Sequence, residues 1–97
     1  MIDTDFIVSP FLELFDSLMM GRNLSIREKE LIAIGIATTN HCDSCISLHI
    51  DNCINAGATP EEILEAAGVA VVMGGGPACS NVEKIAKILK RKNNARD

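Results

Sequence analysis

The chain has no tryptophan and no tyrosine, and its only aromatic side chains are three phenylalanines. A core must therefore be filled by Ile, Leu, Val, Ala and Met, which the 47% hydrophobic content supplies. No apolar stretch reaches the roughly 20 residues that a membrane span needs. The longest, Leu31–Ala37 and Ala66–Met73, fall far short. The N-terminus, Met1-Ile2-Asp3-Thr4-Asp5, lacks the positive region of a signal peptide. No window alternates as a strand does, and there is no repeat, linker or low-complexity segment. The one basic run is the tail, Lys84 to Arg96, in a chain of net charge −4. That is no nucleic-acid footprint; it reads as the solvated end of a helix. The absences together predict a soluble, cytoplasmic protein that engages neither nucleic acid nor membrane.

What is present reads as one all-α domain spanning residues 1–97, with its core in 25–90. A chain of 97 residues buries only about 60–70% of the surface its unfolded form exposes. So much aliphatic content in so thin a core suggests that copies of the chain bury part of it against one another. Ser9-Pro10 places a cap and a first-turn proline before Phe11, Leu12, Leu14, Phe15 and Leu18, and Gly21 stops that helix. Ser25-Ile26-Arg27-Glu28 is a capping box that opens a second helix to about Thr38. A third runs from near Cys42 to Ala56, with Gly57 as its stop. Thr59-Pro60-Glu61-Glu62 opens a fourth, to about Met73. Gly74-Gly75-Gly76 makes a tight turn, and Pro77 starts a fifth. The fourth helix is small or apolar on every face from Ala66 to Val72, which suits a central core helix, a subunit interface, or both.

The chemistry concentrates in Glu30, Cys42-Asp43-Ser44-Cys45 and His49. At about 100° per residue, Cys42, Cys45 and His49 fall at roughly 0°, 300° and 340° on the third helix, so they share one face. Cys42 and Cys45 would have Cβ atoms about 5–6 Å apart. A disulfide across a first helical turn is within reach and is expected to be labile. The thiolate is the reactive form. The helix dipole favours it at Cys42, and His49 favours it at Cys45, so spacing alone does not name the nucleophile. Glu30 and His49 are equidistant in sequence from the turn around residues 39 and 40. In an antiparallel hairpin they lie at one level. Glu30 also shares a face with Ile26, Ala33, Ile34 and Ala37, where a carboxylate needs a partner. The prediction is a Glu30–His49–Cys45 relay with the logic of a catalytic triad.

A Glu twelve residues before Cys-x-x-Cys-x-x-x-His resembles the alkylhydroperoxidase AhpD-like, carboxymuconolactone decarboxylase superfamily. The resemblance covers about Ser25 to Lys90, including Arg27-Glu28-Lys29-Glu30-Leu31 and Gly75-Gly76-Pro77-Ala78. It implies an all-helical bundle around that hairpin, assembled as a trimer or hexamer. It also implies a thiol-dependent peroxidase or disulfide oxidoreductase. Cys45 would attack a hydroperoxide, Cys42 would resolve the sulfenic acid as a disulfide, and Glu30 and His49 would form the relay. The implied reductant is an external dithiol, in some members a lipoyl group on a partner protein. Ser44 stands where the best-known alkylhydroperoxidases carry a His.

The competing reading is a metal- or ligand-binding helical oligomer without turnover. A structural zinc site needs four ligands, commonly two separated pairs, and only one Cys-x-x-Cys is present. Haem attachment would need a His directly after Cys45, where Ile46 stands. No cofactor and no resident metal are expected. Cys53 and Cys79 are expected to be small core hydrophobes, and His41 a surface or capping residue.

Overall fold

Two of the helix starts are set by reciprocal side-chain caps. Ser25 Oγ accepts from the Glu28 backbone N–H at 3.0 Å, while Glu28 Oε1 accepts from the Ser25 N–H at 2.9 Å. Thr59 and Glu62 repeat the arrangement at 3.1 and 2.8 Å. Each box satisfies two backbone donors that a helix end otherwise leaves unpaired. The computed structural model describes residues 2–96 and shows five helices in order. They are α1 (Asp5–Met19), α2 (Ile26–Asn40), α3 (Asp43–Asn55), α4 (Pro60–Gly74) and α5 (Gly76–Arg96). The described residues contain no strand. The all-α bundle of five helices expected from the sequence is the observed fold.

Two boundaries differ from the expected ones, at the start of α1 and at the turn from α4 to α5. α1 begins five residues before Pro10, because Asp3 Oδ1 accepts the Asp5 N–H at 2.9 Å and starts the helix there. Pro10 therefore sits inside α1, although a proline forfeits one ladder hydrogen bond. Between α4 and α5 a single residue, Gly75 at φ +73°, makes the turn; Gly74 and Gly76 are helical. That turn needs the positive φ only glycine adopts freely.

α2 is the central element and packs against α1, α3, α4 and α5. Ile34 on α2, Ile46 and Ile50 on α3, Ile63 on α4 and Ile85 on α5 meet in one cluster with no more than 2% exposure. Fully burying each such side chain is worth about 1.5–3 kcal/mol. Gly35 lets α2 approach α4 closely, since a Cβ there would sit 3.3 Å from the Ala66 carbonyl oxygen. Arg27 on α2 pairs with Glu62 on α4. α4 is two-sided: Ile63, Ala67 and Ala70 are buried, while Val69, Val72 and Met73 are exposed. α1 buries no residue fully. It is tied at its C-terminal end by Lys29 Nζ, which donates to the Leu18 and Met20 carbonyls at 2.6 and 2.8 Å. No helix among the described residues is long and apolar enough to cross a membrane.

Candidate functional site

The site lies on the α2–α3 hairpin. α2 ends at His41, whose left-handed backbone (φ 58°) reverses the chain. A non-glycine residue in this region costs about 1–2 kcal/mol and is held only by its surroundings. Here Asn81 on α5, 3% exposed, supplies the hold. Its Nδ2 donates to the Thr38 carbonyl at 2.9 Å and to His41 Nδ1 at 2.6 Å. His41 Nδ1 is thus an acceptor, which leaves the ring proton on Nε2 in the neutral tautomer.

Cys42 follows directly as the N-cap of α3, with extended φ −98° and ψ 99°. Its sulfur accepts the Cys45 N–H at 3.3 Å. Cys42 and Cys45 are joined as a disulfide with Cα atoms 5.2 Å apart. Capping places the Cys42 sulfur at the positive end of α3, where a thiolate gains from the N–H groups and the dipole. Cys45 is one turn in, half-buried against the core.

Glu30 and His49 meet across the hairpin. His49 Nδ1 donates to Glu30 Oε1 at 2.6 Å, and both side chains are largely buried, at 12% and 5% exposure. The carboxylate fixes the proton on Nδ1 and leaves Nε2 for a further partner. Phe15 of α1 covers the imidazole, with ring centroids 6.1 Å apart. No hydrogen bond joins His49 to Cys45 among the described residues, so the observed contacts cover the Glu30–His49 half of the expected relay. Behind Glu30 a cavity of about 760 Å³ opens between α1, α2 and α3, lined among others by Asp16, Arg27, Asn52 and Asn55.

The other cysteines separate. Cys53 is fully buried on α3. Burial pushes its thiol up to about 12, and the nearby Glu30 charge adds to the rise. At neutral pH it is an inert hydrophobe. Cys79 is exposed, contrary to its expected place in the core. Ala78, one position earlier on α5 and 1% exposed, takes the inward direction beside Gly74. Among the described residues no group of three or more His, Cys, Asp or Glu is arranged to hold a metal ion.

Sequence reasoning missed Asn81 and Phe15. Asn81 lies 40 residues from His41, so only the tertiary fold reveals their contact. Phe15 read as an ordinary apolar position of α1, and no local signal marked its contact with His49.

Comparison with known proteins places this arrangement in a family. The chain is 35% identical over 79 residues to an uncharacterised protein of the cox locus of Paracoccus denitrificans. That match covers 81% of this chain and 71% of that one. The fold matches the apo crystal structure of a carboxymuconolactone decarboxylase family protein from Legionella pneumophila at a TM-score of 0.82. The two are 32% identical, over 88% of this chain and 76% of the other. A second member, from Thermotoga maritima, gives a TM-score of 0.85 at 28% identity over 92% of each chain. The carboxymuconolactone decarboxylase family model matches residues 9–87. With that match across α1 to α5, the chain belongs to the carboxymuconolactone decarboxylase family.

Proposed function

We propose that the chain is a thiol-dependent hydroperoxide reductase that cycles through the Cys42–Cys45 disulfide. The observation that carries this reading is that disulfide, one helical turn from a buried Glu30–His49 pair. An antioxidative role has been suggested for the Thermotoga maritima relative, which is compatible with it.

In the reduced protein, His49 takes the Cys45 proton through Nε2, and Glu30 stabilises the imidazolium. The Cys45 thiolate attacks one peroxide oxygen and the O–O bond breaks. Cys45 becomes a sulfenic acid, and the leaving alkoxide takes the proton from His49 and departs as an alcohol. The Cys42 thiol then attacks the sulfenic sulfur and water leaves, which forms the disulfide. An external dithiol returns two electrons and two protons. The helix N-terminus stabilises Cys42 as a thiolate, which suits it both to resolve the sulfenic acid and to leave during reduction.

The working form is a homo-oligomer, a trimer or hexamer. Exposed Phe6, Phe11 and Leu14 on α1, and Val69, Val72 and Met73 on α4, support that.

Steady-state consumption of cumene hydroperoxide with dithiothreitol tests the reading. Cys45→Ser should fall to the buffer rate. Without reductant, Cys42→Ser should consume one equivalent and stop at the sulfenic acid. Turnover that survives Cys45→Ser would refute it.

A further inference from the structure

The fifth helix carries a charge pattern that peroxide chemistry at Cys45 does not use. Five of the nine Lys and Arg lie between Lys84 and Lys92, a stretch without a carboxylate in a chain of net charge −4. At about 100° per residue, Lys84, Lys87 and Arg91 fall within an arc of roughly 60° on α5. The fold sets that arc against the start of α3. Lys84 Nζ lies 3.4 Å from Asp43 Oδ1, and Asp43 directly follows Cys42. A groove of about 260 Å³ runs between the helices, with Asp43, Ile46 and Ser47 on one side and Lys84, Lys87 and Arg91 on the other. Asp43 partly answers Lys84, and Asp51 answers Lys92. Lys87 and Arg91 are exposed and meet no carboxylate within ion-pair distance among the described residues.

We propose that this groove docks an acidic face of the protein that carries the reducing dithiol, and so sets which reductant reaches Cys42–Cys45. The proposal rests on the redox reading of that pair. Charge complementarity names the partner: a mostly acidic molecule concentrates its positive charge along a groove that begins at Asp43, the residue after Cys42. The row from Lys84 to Arg91 spans about 10 Å of helix, which suits several spaced carboxylates on a folded surface better than one small anion. Such a field raises the encounter rate of an oppositely charged partner about 10- to 1,000-fold, and salt weakens it.

The docked thiolate attacks the Cys42 sulfur, at the end of α3 that the groove borders. The Cys42–Cys45 bond breaks and Cys45 leaves as a thiolate beside His49. The second thiol of the donor then attacks its own sulfur in the mixed disulfide and expels Cys42. The donor is oxidised to a disulfide, and two electrons and two protons pass to this chain.

The test measures reduction of the Cys42–Cys45 disulfide by four probes. They are dithiothreitol, dihydrolipoate, and a Cys-Gly-Pro-Cys peptide flanked by either five Glu or five Lys residues. The Glu peptide should react at least tenfold faster than the Lys peptide at low salt, and the gap should close at high salt. Lys87→Glu and Arg91→Glu should each cut the Glu-peptide rate severalfold and leave the dithiothreitol rate unchanged. Lys90→Glu, the same charge change off the groove, should leave both rates unchanged. Equal rates for the two peptides would overturn the proposal. So would a loss with Lys90→Glu that matches the loss with Lys87→Glu. A Lys87→Glu effect on dihydrolipoate as large as that on the Glu peptide would assign the groove to a small anion instead. Reoxidation of each reduced sample by cumene hydroperoxide is followed separately. If wild type is not reoxidised, the peroxidase reading fails, while the reduction rates still decide the docking surface.

Discussion

Glu30 is a carboxylate with 4% exposure on the face of α2 that also carries buried Ile34 and Ala37. Its place makes sense because His49 meets it at 2.6 Å. Glu30→Gln keeps the shape and removes the charge that would hold an imidazolium. We expect peroxide-driven disulfide formation to slow about 100-fold, with the fold retained. Stopped-flow oxidation of the reduced variant, with a melting curve alongside, checks both statements. Cys53 provides the opposite case. Its thiol is raised from an ordinary 9.0 to about 12. The unfolded chain therefore releases this proton first as pH rises, so Cys53 contributes stability that is complete below about 9 and is lost towards 12. Urea midpoints between pH 8 and 11 should fall, and Cys53→Ala should flatten part of that fall. No tyrosine is present to add to the alkaline titration. The Glu30–His49 meeting was legible because an antiparallel hairpin makes sequence distance from the turn a measure of height. Cys79 was not: one step along a helix rotates a side chain by about 100°, and sequence alone does not fix which neighbour faces the core.

The elements divide by how local their signals are. The capping boxes at Ser25 and Thr59 were legible because donor and acceptor lie three residues apart. The start of α1 was not, since Ser9-Pro10 presents a cap signature while Asp3, six residues before Ser9, accepts the Asp5 N–H and starts the helix there. The box at α2 has a pH signature. The Ser25 backbone N–H, and then its hydroxyl, hold the Glu28 carboxyl below its ordinary value. A lowered carboxyl contributes stability above the unfolded value of 4.5, and that stability is lost as pH falls through the folded value. Glu28→Gln removes that charge and should lower stability at pH 7 but not in acid, so melting temperatures of variant and wild type at pH 7 and pH 3 should converge at the lower pH. Ser25→Ala, which removes the neutral cap on the Glu28 N–H, should cost about 0.5–2 kcal/mol at both. Asn81 shows what local signals omit. It joins α5 to the turn before Cys42 through contacts 40 and 43 residues distant.

The whole molecule exposes more apolar surface than a monomer of 97 residues needs. Phe6, Val72 and Met73 are 73%, 85% and 82% exposed, on helices otherwise anchored to the bundle. The fourth helix reads in the sequence as apolar on every face, and the structure divides it into a core side and an open side. We expect sedimentation to give a multiple of the 10.4 kDa chain mass, and Val72→Asp to lower it. A wild-type monomer at micromolar concentration would contradict the assembly.

The proposed chemistry makes Cys42 and Cys45 a peroxide-reactive pair and leaves Cys53 and Cys79 out of it. The most direct measurement treats reduced protein with one equivalent of cumene hydroperoxide and maps alkylatable thiols by mass spectrometry over time. Cys42 and Cys45 should be lost rapidly and together as a linked pair, with Cys79 still alkylatable and Cys53 protected until the chain unfolds. Slow oxidation spread over all four cysteines would rule out a peroxide-reactive pair.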